Sequence, residues 1–227
     1  MTPNAAQGTL QWRRNRLGCI TGSQLGKLMQ RGRGAEFSQT AMAYLCQIAA
    51  ERTMNPEIVA DDGLFAQYLE ATDTSTRAMR WGTDQEADAR RLYTSLTGRK
   101  VVEVGSCRHP SIPNFAASPD GFFYDEGKPE RYVVEIKSPT QAVFMLYAAE
   151  IRGNDSLKAV KPEYYWQTQA EMMCLRADWC DFVAYCPWQS SPLHIARLYP
   201  DPVAQRQAAD RIAQAEELIN DIIRKGT

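Results

Sequence analysis

Little in this sequence suits a soft metal. Its 227 residues include two histidines and six cysteines (Cys19, Cys46, Cys107, Cys174, Cys180 and Cys186), with no C-x-x-C pair. A tetrahedral zinc centre draws on closely spaced Cys and His ligands, so zinc chemistry finds no support, and scattered cysteines read as buried free thiols in a reducing compartment. No apolar run approaches the roughly 18 residues of a membrane span. Residues 1–11 have neither a charged n-region nor an apolar h-region, so no secretion signal is read and a cytoplasmic protein is expected. A strong charge of one sign is missing too: 26 Lys and Arg stand against 27 Asp and Glu, a net charge of −1, which argues against non-specific coating of nucleic acid.

What remains is a globular chain, 44% hydrophobic with a mean hydropathy of −0.44. It is long enough for one sizeable core, and the expectation is a single domain over 1–227 with a flexible lead-in over 1–11. Basic charge is concentrated near the start: Arg13, Arg14, Arg16, Lys27, Arg31 and Arg33 face one acid, Glu36, within the first forty residues. A local basic surface on a near-neutral protein suggests a defined phosphate contact zone.

The chemistry gathers in the middle of the chain. Tyr132 to Lys137 reads as a strand, which puts Glu135 and Lys137 on one face and Val134 and Ile136 on the other. Fifteen residues before Glu135 stands the aspartate of Ser118-Pro119-Asp120-Gly121, in a strand-like stretch, Phe115 to Phe123. A turn over Asp125 to Pro129 folds the two segments into a hairpin and sets Asp120 beside Glu135. Paired carboxylates repel unless a cation lies between them. Mg²⁺ takes oxygen ligands and keeps several waters, which serve phosphodiester cleavage. A lysine on the same face holds or deprotonates the attacking water, or neutralises developing charge. E-x-K alone is common on solvated hairpins; joined to S-P-D-G it points to a nuclease.

Three further stretches carry weaker signals. In R-L-G-C-I-T-G-S (16–23) the glycines let backbone N–H groups approach an anion. Ser23 suits the cap of a helix starting near Gln24, and Arg16 with Ser23 makes a phosphate cradle. Arg31 and Arg33 sit in a glycine-spaced basic loop that suits a DNA backbone or plain solvent. A helix capped by Thr83 or Asp84 runs to about Thr97 and stops at Gly98, with Glu86 in its first turn, where the dipole alone favours an acid. Helices are also expected over Ser38–Thr53, Thr140–Arg152, Lys161–Arg176 and from Pro202 to Lys225, and strands over Lys100–Ser106, Asp181–Cys186 and His194–Tyr199. Gln167 and Gln169 fall on different sides of their helix. Residues 55–76 receive no assignment beyond a loop at Asp73–Thr76.

P-D followed by E-x-K resembles the PD-(D/E)xK nucleases. S-P-D-G with E-I-K-S-P, together with R-L-G-C-I-T-G-S, W-G-T-D-Q-E-A-D-A-R (81–90) and Q-T-Q (167–169), is similar to the family of phage lambda exonuclease and the YqaJ-type viral recombinases, in the family's order from Trp12 to about Cys186. The resemblance implies an α/β fold, a central mixed β-sheet flanked by α-helices. It implies a Mg²⁺-dependent (or Mn²⁺-dependent) 5′→3′ exonuclease that digests the 5′-phosphorylated strand at double-stranded DNA ends and leaves 3′ overhangs for single-strand-annealing recombination. By the same resemblance Glu86, Asp120, Glu135 and the Ile136 carbonyl hold one or two ions, and Lys137 and Gln167 complete the catalytic set. Arg16 and Ser23 bind the 5′ phosphate, Ser118 touches the scissile strand, Arg77 contacts phosphate, and Met79 is a wedge between terminal base pairs. Family members form ring-shaped homotrimers and work with a single-strand annealing protein. An endonuclease of the same motif class and an inactive nuclease fold used as a DNA clamp are the alternatives.

Overall fold

The computed structural model describes residues 5–30, 32, 37–124, 127 and 130–226. In chain order they form α1 (Leu10–Arg16), β1 (Ile20–Thr21), α2 (Gly22–Met29), α3 (Gln39–Arg52), α4 (Pro56–Ala60), α5 (Asp62–Ala71) and α6 (Arg77–Thr97). Then follow β2 (Cys107–Arg108), β3 (Phe115–Ala117), β4 (Gly121–Tyr124), β5 (Arg131–Lys137), α7 (Gln141–Glu150), α8 (Asn154–Val160), α9 (Pro162–Leu175), β6 (Trp179–Tyr185), β7 (Leu193–Leu198) and α10 (Pro202–Gly226). Arg31, Arg33 and most of the expected 125–129 turn lie outside the described residues.

The strands make two mixed sheets, β1-β3-β2 and β4-β5-β6-β7. In the larger one β4 and β5 are antiparallel, with Gly121 opposite Val134. β5 and β6 are parallel, with Lys137 opposite Ala184, and β6 and β7 are antiparallel. A parallel pair needs a long crossover, and α7, α8 and α9 supply it. Side chains alternate along β5, so its two faces see different cores. Tyr132, Val134 and Ile136 pack with Trp179, Val183 and Tyr185 of β6 and with Ala89 and Tyr93 of α6. Val133 joins the larger core, where Ala170 of α9, Phe182, Leu25, Leu28, Leu45, Ile48 and the α10 stripe Ala208, Ile212 and Ile219 meet. The sheet is thus covered by α6 on one face and α9 on the other. Helix α2 lies close to α9: a Cβ on Gly26 would stand 3.0 Å from Glu163 Cα, and one on Gly22 3.1 Å from Ala170 Cβ. Such spacing needs glycine.

Several expectations change. Part of the lead-in is ordered: Thr9 caps α1 by accepting from Trp12 N, and the Gln7 amide donates to the carbonyls of Val104 and Pro119, each at 3.0 Å. Helix α2 starts at Gly22 with Thr21 as its N-cap, so Ser23 lies inside the first turn instead of capping it. Helix α6 begins six residues before the expected caps, because Thr76 accepts from Met79 N and Gly82 is carried through in open space. Glu86 is therefore mid-helix, beyond the first-turn dipole. Gly98 does close α6 in the left-handed region, at φ 69°. Lys100–Ser106 forms one bridge, Val102 with Phe122, and no strand. Phe115–Phe123 is two strands in two sheets, parted at Ser118-Pro119-Asp120. Residues 56–71 fold as α4 and α5, each begun by an acceptor side chain, Asn55 or Asp61, and a separate α8 follows Gly153.

Candidate active site

The β4–β5 ladder ends at Gly121 and Val134, so β5 runs on past it without a partner on that edge. Asp120, in the link between the two sheets, fills the gap: its Oδ2 accepts from Ile136 N at 2.7 Å. The N–H and C=O of one strand residue point to the same edge, so the Ile136 carbonyl also faces the Asp120 side. Arg90, one helical turn after Glu86, donates from Nε to the Asp120 carbonyl at 2.9 Å and pairs with Glu103 at 3.3 Å, which fixes the link from behind.

Glu135 is 1% exposed and Asp120 8%. On the α9 side, Glu135 Oε1 accepts from Lys137 Nζ at 2.5 Å and from Gln167 Nε2 at 2.5 Å. The same Gln167 amide donates to Glu171 Oε1 at 3.1 Å, so Gln167 and Glu171, four residues apart on α9, form one stripe. Lys137 Nζ also lies 4.9 Å from the Tyr164 ring centre. Gln169 points elsewhere, donating to the Tyr199 carbonyl.

Acid outnumbers base in this cluster. Burial, then the charge of Glu135, raises Asp120 well above the usual carboxylate range and does the same to Glu171. Burial and Glu135 push Glu86 up to about 7. Burial works against the Lys137 ammonium, yet Glu135 and Asp120 hold it above the ordinary lysine value. Glu135 Oε2 and Glu171 Oε2 are buried with no donor. A buried carboxylate oxygen in that state calls for a proton or a cation. The donors are all oxygen, the set a hard divalent ion takes. Among the described residues no three acidic, His or Cys side chains converge at ligand spacing, and Lys137 and Gln167 already claim Glu135 Oε1. The residues therefore fit Mg²⁺ by donor chemistry, and Lys137 and Gln167 would have to yield that oxygen to it.

Beside the acids stands a basic niche. Ser118, two residues before Asp120, accepts from Arg16 Nη1 at 2.9 Å and from Trp12 Nε1 at 3.3 Å, and the Arg16 guanidinium lies 4.3 Å from the Trp12 ring centre. Burial lowers the Arg16 pKa, and among the described residues no carboxylate pairs with it. The Arg16–Thr21 segment is tied to α3: Gly18 N donates to Glu51 and Arg52 Nε to the Gly18 carbonyl, both at 2.8 Å, while Arg52 forks onto Glu216 of α10. Ser23 is exposed at the start of α2, and no bond joins it to Arg16 among the described residues. Arg77 and Met79 are exposed in the first turn of α6, seven and more residues before Glu86.

Thus the fold gathers Asp120, Glu135, Lys137 and Gln167 in one cluster, with Glu86 close enough to feel the Glu135 charge, and sets Arg16 with Ser118 next to it. Sequence reasoning passed over Glu171, whose one signal is its position four after Gln167, and Trp12. Two clefts of about 590 and 370 Å³ share no lining residue with the cluster; charge marks the site.

The sequence profile of the YqaJ-like viral recombinase domain matches residues 11–178. No curated protein sequence matches the chain. Among solved structures, an alkaline exonuclease from Laribacter hongkongensis is similar at 27% identity and a TM-score of 0.70, over 96% of this chain and 98% of that one. Its complex with dAMP matches at 28% identity with the same score and coverage. A phage-related exonuclease from Haemophilus somnus, 11% identical with a TM-score of 0.64 over 92% of this chain and 96% of that one, shares the fold.

Proposed function

The chain belongs to the YqaJ-like viral recombinase family and is a nuclease of the alkaline-exonuclease type, and on that premise we propose that it is a Mg²⁺-dependent 5′→3′ exonuclease acting on double-stranded DNA ends. The observation that carries this reading is the Asp120 carboxylate held against the Glu135–Ile136 peptide, with Lys137 beside it and buried carboxylate oxygens short of donors. Asp120, Glu135, the Ile136 carbonyl and Glu86 would hold Mg²⁺ (Mn²⁺ is the substitute), which supplies Lewis acidity at the scissile phosphate.

The side chains do the rest. Lys137, seated between Glu135 and Tyr164, keeps donors for the attacking water and the phosphate oxygens. Gln167 orients Glu135. Arg16 and Ser118 take the 5′ phosphate, with Ser23 at the start of α2, where Thr21 makes no side-chain cap and the first-turn N–H groups have no intrahelical partner. A half-buried guanidinium lacking a carboxylate among the described residues suits a phosphate dianion. Met79 parts the terminal base pairs, and Arg77 holds a phosphate beside it. The Laribacter hongkongensis enzyme was crystallised with dAMP, which supports release of mononucleotides here. The family premise extends to a ring-shaped homotrimer, a single-strand annealing partner that receives the 3′ overhang, and a cytoplasmic setting.

The test is a time course on duplex DNA that is 5′-phosphorylated, 5′-hydroxylated or closed and circular, with and without Mg²⁺. The expected result is digestion of linear duplex only, with Mg²⁺ only, fastest from 5′ phosphate. Nicking of the closed circle would assign an endonuclease, and inactivity on every substrate a DNA clamp. Arg16→Ala should erase at least about tenfold of the preference for 5′ phosphate, since a charge-assisted pair contributes about 1.5–3 kcal/mol; an unchanged preference would detach Arg16 from that role.

A further inference from the structure

Large apolar side chains stand exposed at the overhanging start of α6 and at the turn between β6 and β7. Trp81 is 37% exposed and Trp188 69%; their rings lie 6.3 Å apart and within 12° of parallel. Neither is needed by the cores described above. β5 and β6 run parallel with Lys137 opposite Ala184, so Trp188, four residues beyond Ala184, sits past the same strand ends as Lys137. In the order β4-β5-β6-β7, Asp120 and the Arg16–Ser118 niche lie on the β4 side of Lys137, and the two indoles lie on the β6–β7 side. Arg77 precedes Trp81 by four residues, one turn along the same stripe of α6, and no acid pairs with it among the described residues. The outer faces of two stacked indoles, with an exposed arginine one helical turn away, match the pairing used on single-stranded nucleic acid: bases on the rings, phosphate on the cation.

We propose that Trp81 and Trp188 form a stacking platform for unpaired bases of the 3′-ended strand, the one left without a partner as the other is digested. The inference rests on the 5′→3′ reading above. In that reading the digested strand is engaged by the acids and by Arg16, so the strand whose bases lose their partners is the complementary one. Its bases emerge beside the site, on the side away from the 5′-phosphate niche, and unstacked bases seek aromatic faces. Arg77 neutralises a phosphate of that strand.

Trp188→Ala and Trp188→Phe test the platform. Binding is measured without divalent cation, so that nothing is cut, on a blunt duplex and on the same duplex with an oligothymidine tail at the 3′ or the 5′ end. Trp188→Ala is expected to weaken the 3′-tailed duplex about tenfold and the other two by less than about twofold, and Trp188→Phe, which keeps a π-face, to restore most of the loss. Equal losses on all three substrates, no loss on the 3′ tail, or a larger loss on the 5′ tail would overturn the platform. So would a change in the molecular mass of Trp188→Ala in solution, which would give the indoles to an interface between copies of the chain. Digestion of end-labelled duplex by the unaltered protein is read separately: digestion from 3′ ends would overturn the polarity of the proposed function, whatever the tail affinities are.

Discussion

Two buried carboxylates on adjacent strands lead opposite lives. Asp181 on β6 and Glu135 on β5 are each 1% exposed. Asp181 is saturated: it accepts from Tyr93 OH at 2.7 Å and from Arg197 Nε and Nη2 at 2.9 and 3.2 Å, and the Arg197 guanidinium lies 3.7 Å from the Trp179 ring centre. One cation serves one acid there, and the set ties α6 and β7 to β6. Around Glu135 one ammonium, Lys137, serves Asp120, Glu86 and Glu171 as well, and two carboxylate oxygens lack donors. Burial of an acid is therefore no mark of function in this fold. The mark is a deficit of positive charge, which a fold tolerates when something else supplies it.

The sharpest way to break this contrast is a matched pair of substitutions. Asp120→Asn should reduce nuclease activity by about a thousandfold without lowering the melting temperature of the metal-free protein, because it removes charge from a crowded site. Asp181→Asn should do the reverse. Removing one partner of a buried pair costs about 3 kcal/mol, or about 6–12 °C in a domain of this size, while activity measured well below the transition is retained. Calorimetry and a nuclease assay on both variants decide it; a stability loss in Asp120→Asn, or an activity loss in folded Asp181→Asn, would erase the distinction.

Cation and pH should act on one member of the pair only. Mg²⁺ at about a hundred times its dissociation constant contributes about 2.7 kcal/mol, so the melting temperature should rise by about 5–10 °C, and Asp120→Asn should abolish most of that rise. Without Mg²⁺ the sign of the pH dependence follows from the raised carboxyls. Glu86 moves from 4.5 to about 7 on folding, and Asp120 and Glu171 also move up. These carboxyls thus bind more protons in the folded chain than in the unfolded one, and their contribution makes stability fall as pH rises from about 4.5, Glu86 completing its share as pH passes about 7. Melting curves across that window check it; a metal-free protein that gains stability with rising pH there would contradict the charge deficit.

Much of this site is legible in the sequence, and the reason is local. Glu135 and Lys137 share a face because strands alternate, and Asp120 returns to them because the hairpin is short. The misreadings have local causes as well. Thr83 and Asp84 are both good caps, so the sequence starts α6 there and puts Glu86 in a first turn; Thr76 is the cap, and Glu86 lies mid-helix within reach of the Glu135 charge. Val102 and Val104 alternate as a strand does, yet only Val102 bridges the free edge of β4, at Phe122, while the Val104 carbonyl is taken by the Gln7 amide. Glu171 stayed hidden because a glutamate on an amphipathic helix is ordinary until Gln167, one turn earlier, is known to touch Glu135. Trp188 gave no signal, since a tryptophan in a turn is informative only once it is known to be exposed.

The smallest expected effect sharpens the comparison most finely. Burial and Glu135 raise Glu171, and its unsatisfied Oε2 shares the cluster with that of Glu135. Protonated, Glu171 donates across the gap, and its neutral isostere does the same. Glu171→Gln should therefore keep the acceptor for Gln167, offer an amide donor to Glu135, and leave the turnover rate within about threefold with an unchanged or slightly raised melting temperature. Glu171→Ala loses the seat of Gln167 and should lower turnover about tenfold, the lower end of what supporting partners of a metal site contribute. Turnover and melting temperature of both variants, measured side by side, separate a residue that positions Gln167 from one that works as an anion. If Glu171→Gln fell as far as Asp120→Asn, Glu171 would have to be counted among the charged acids of the site.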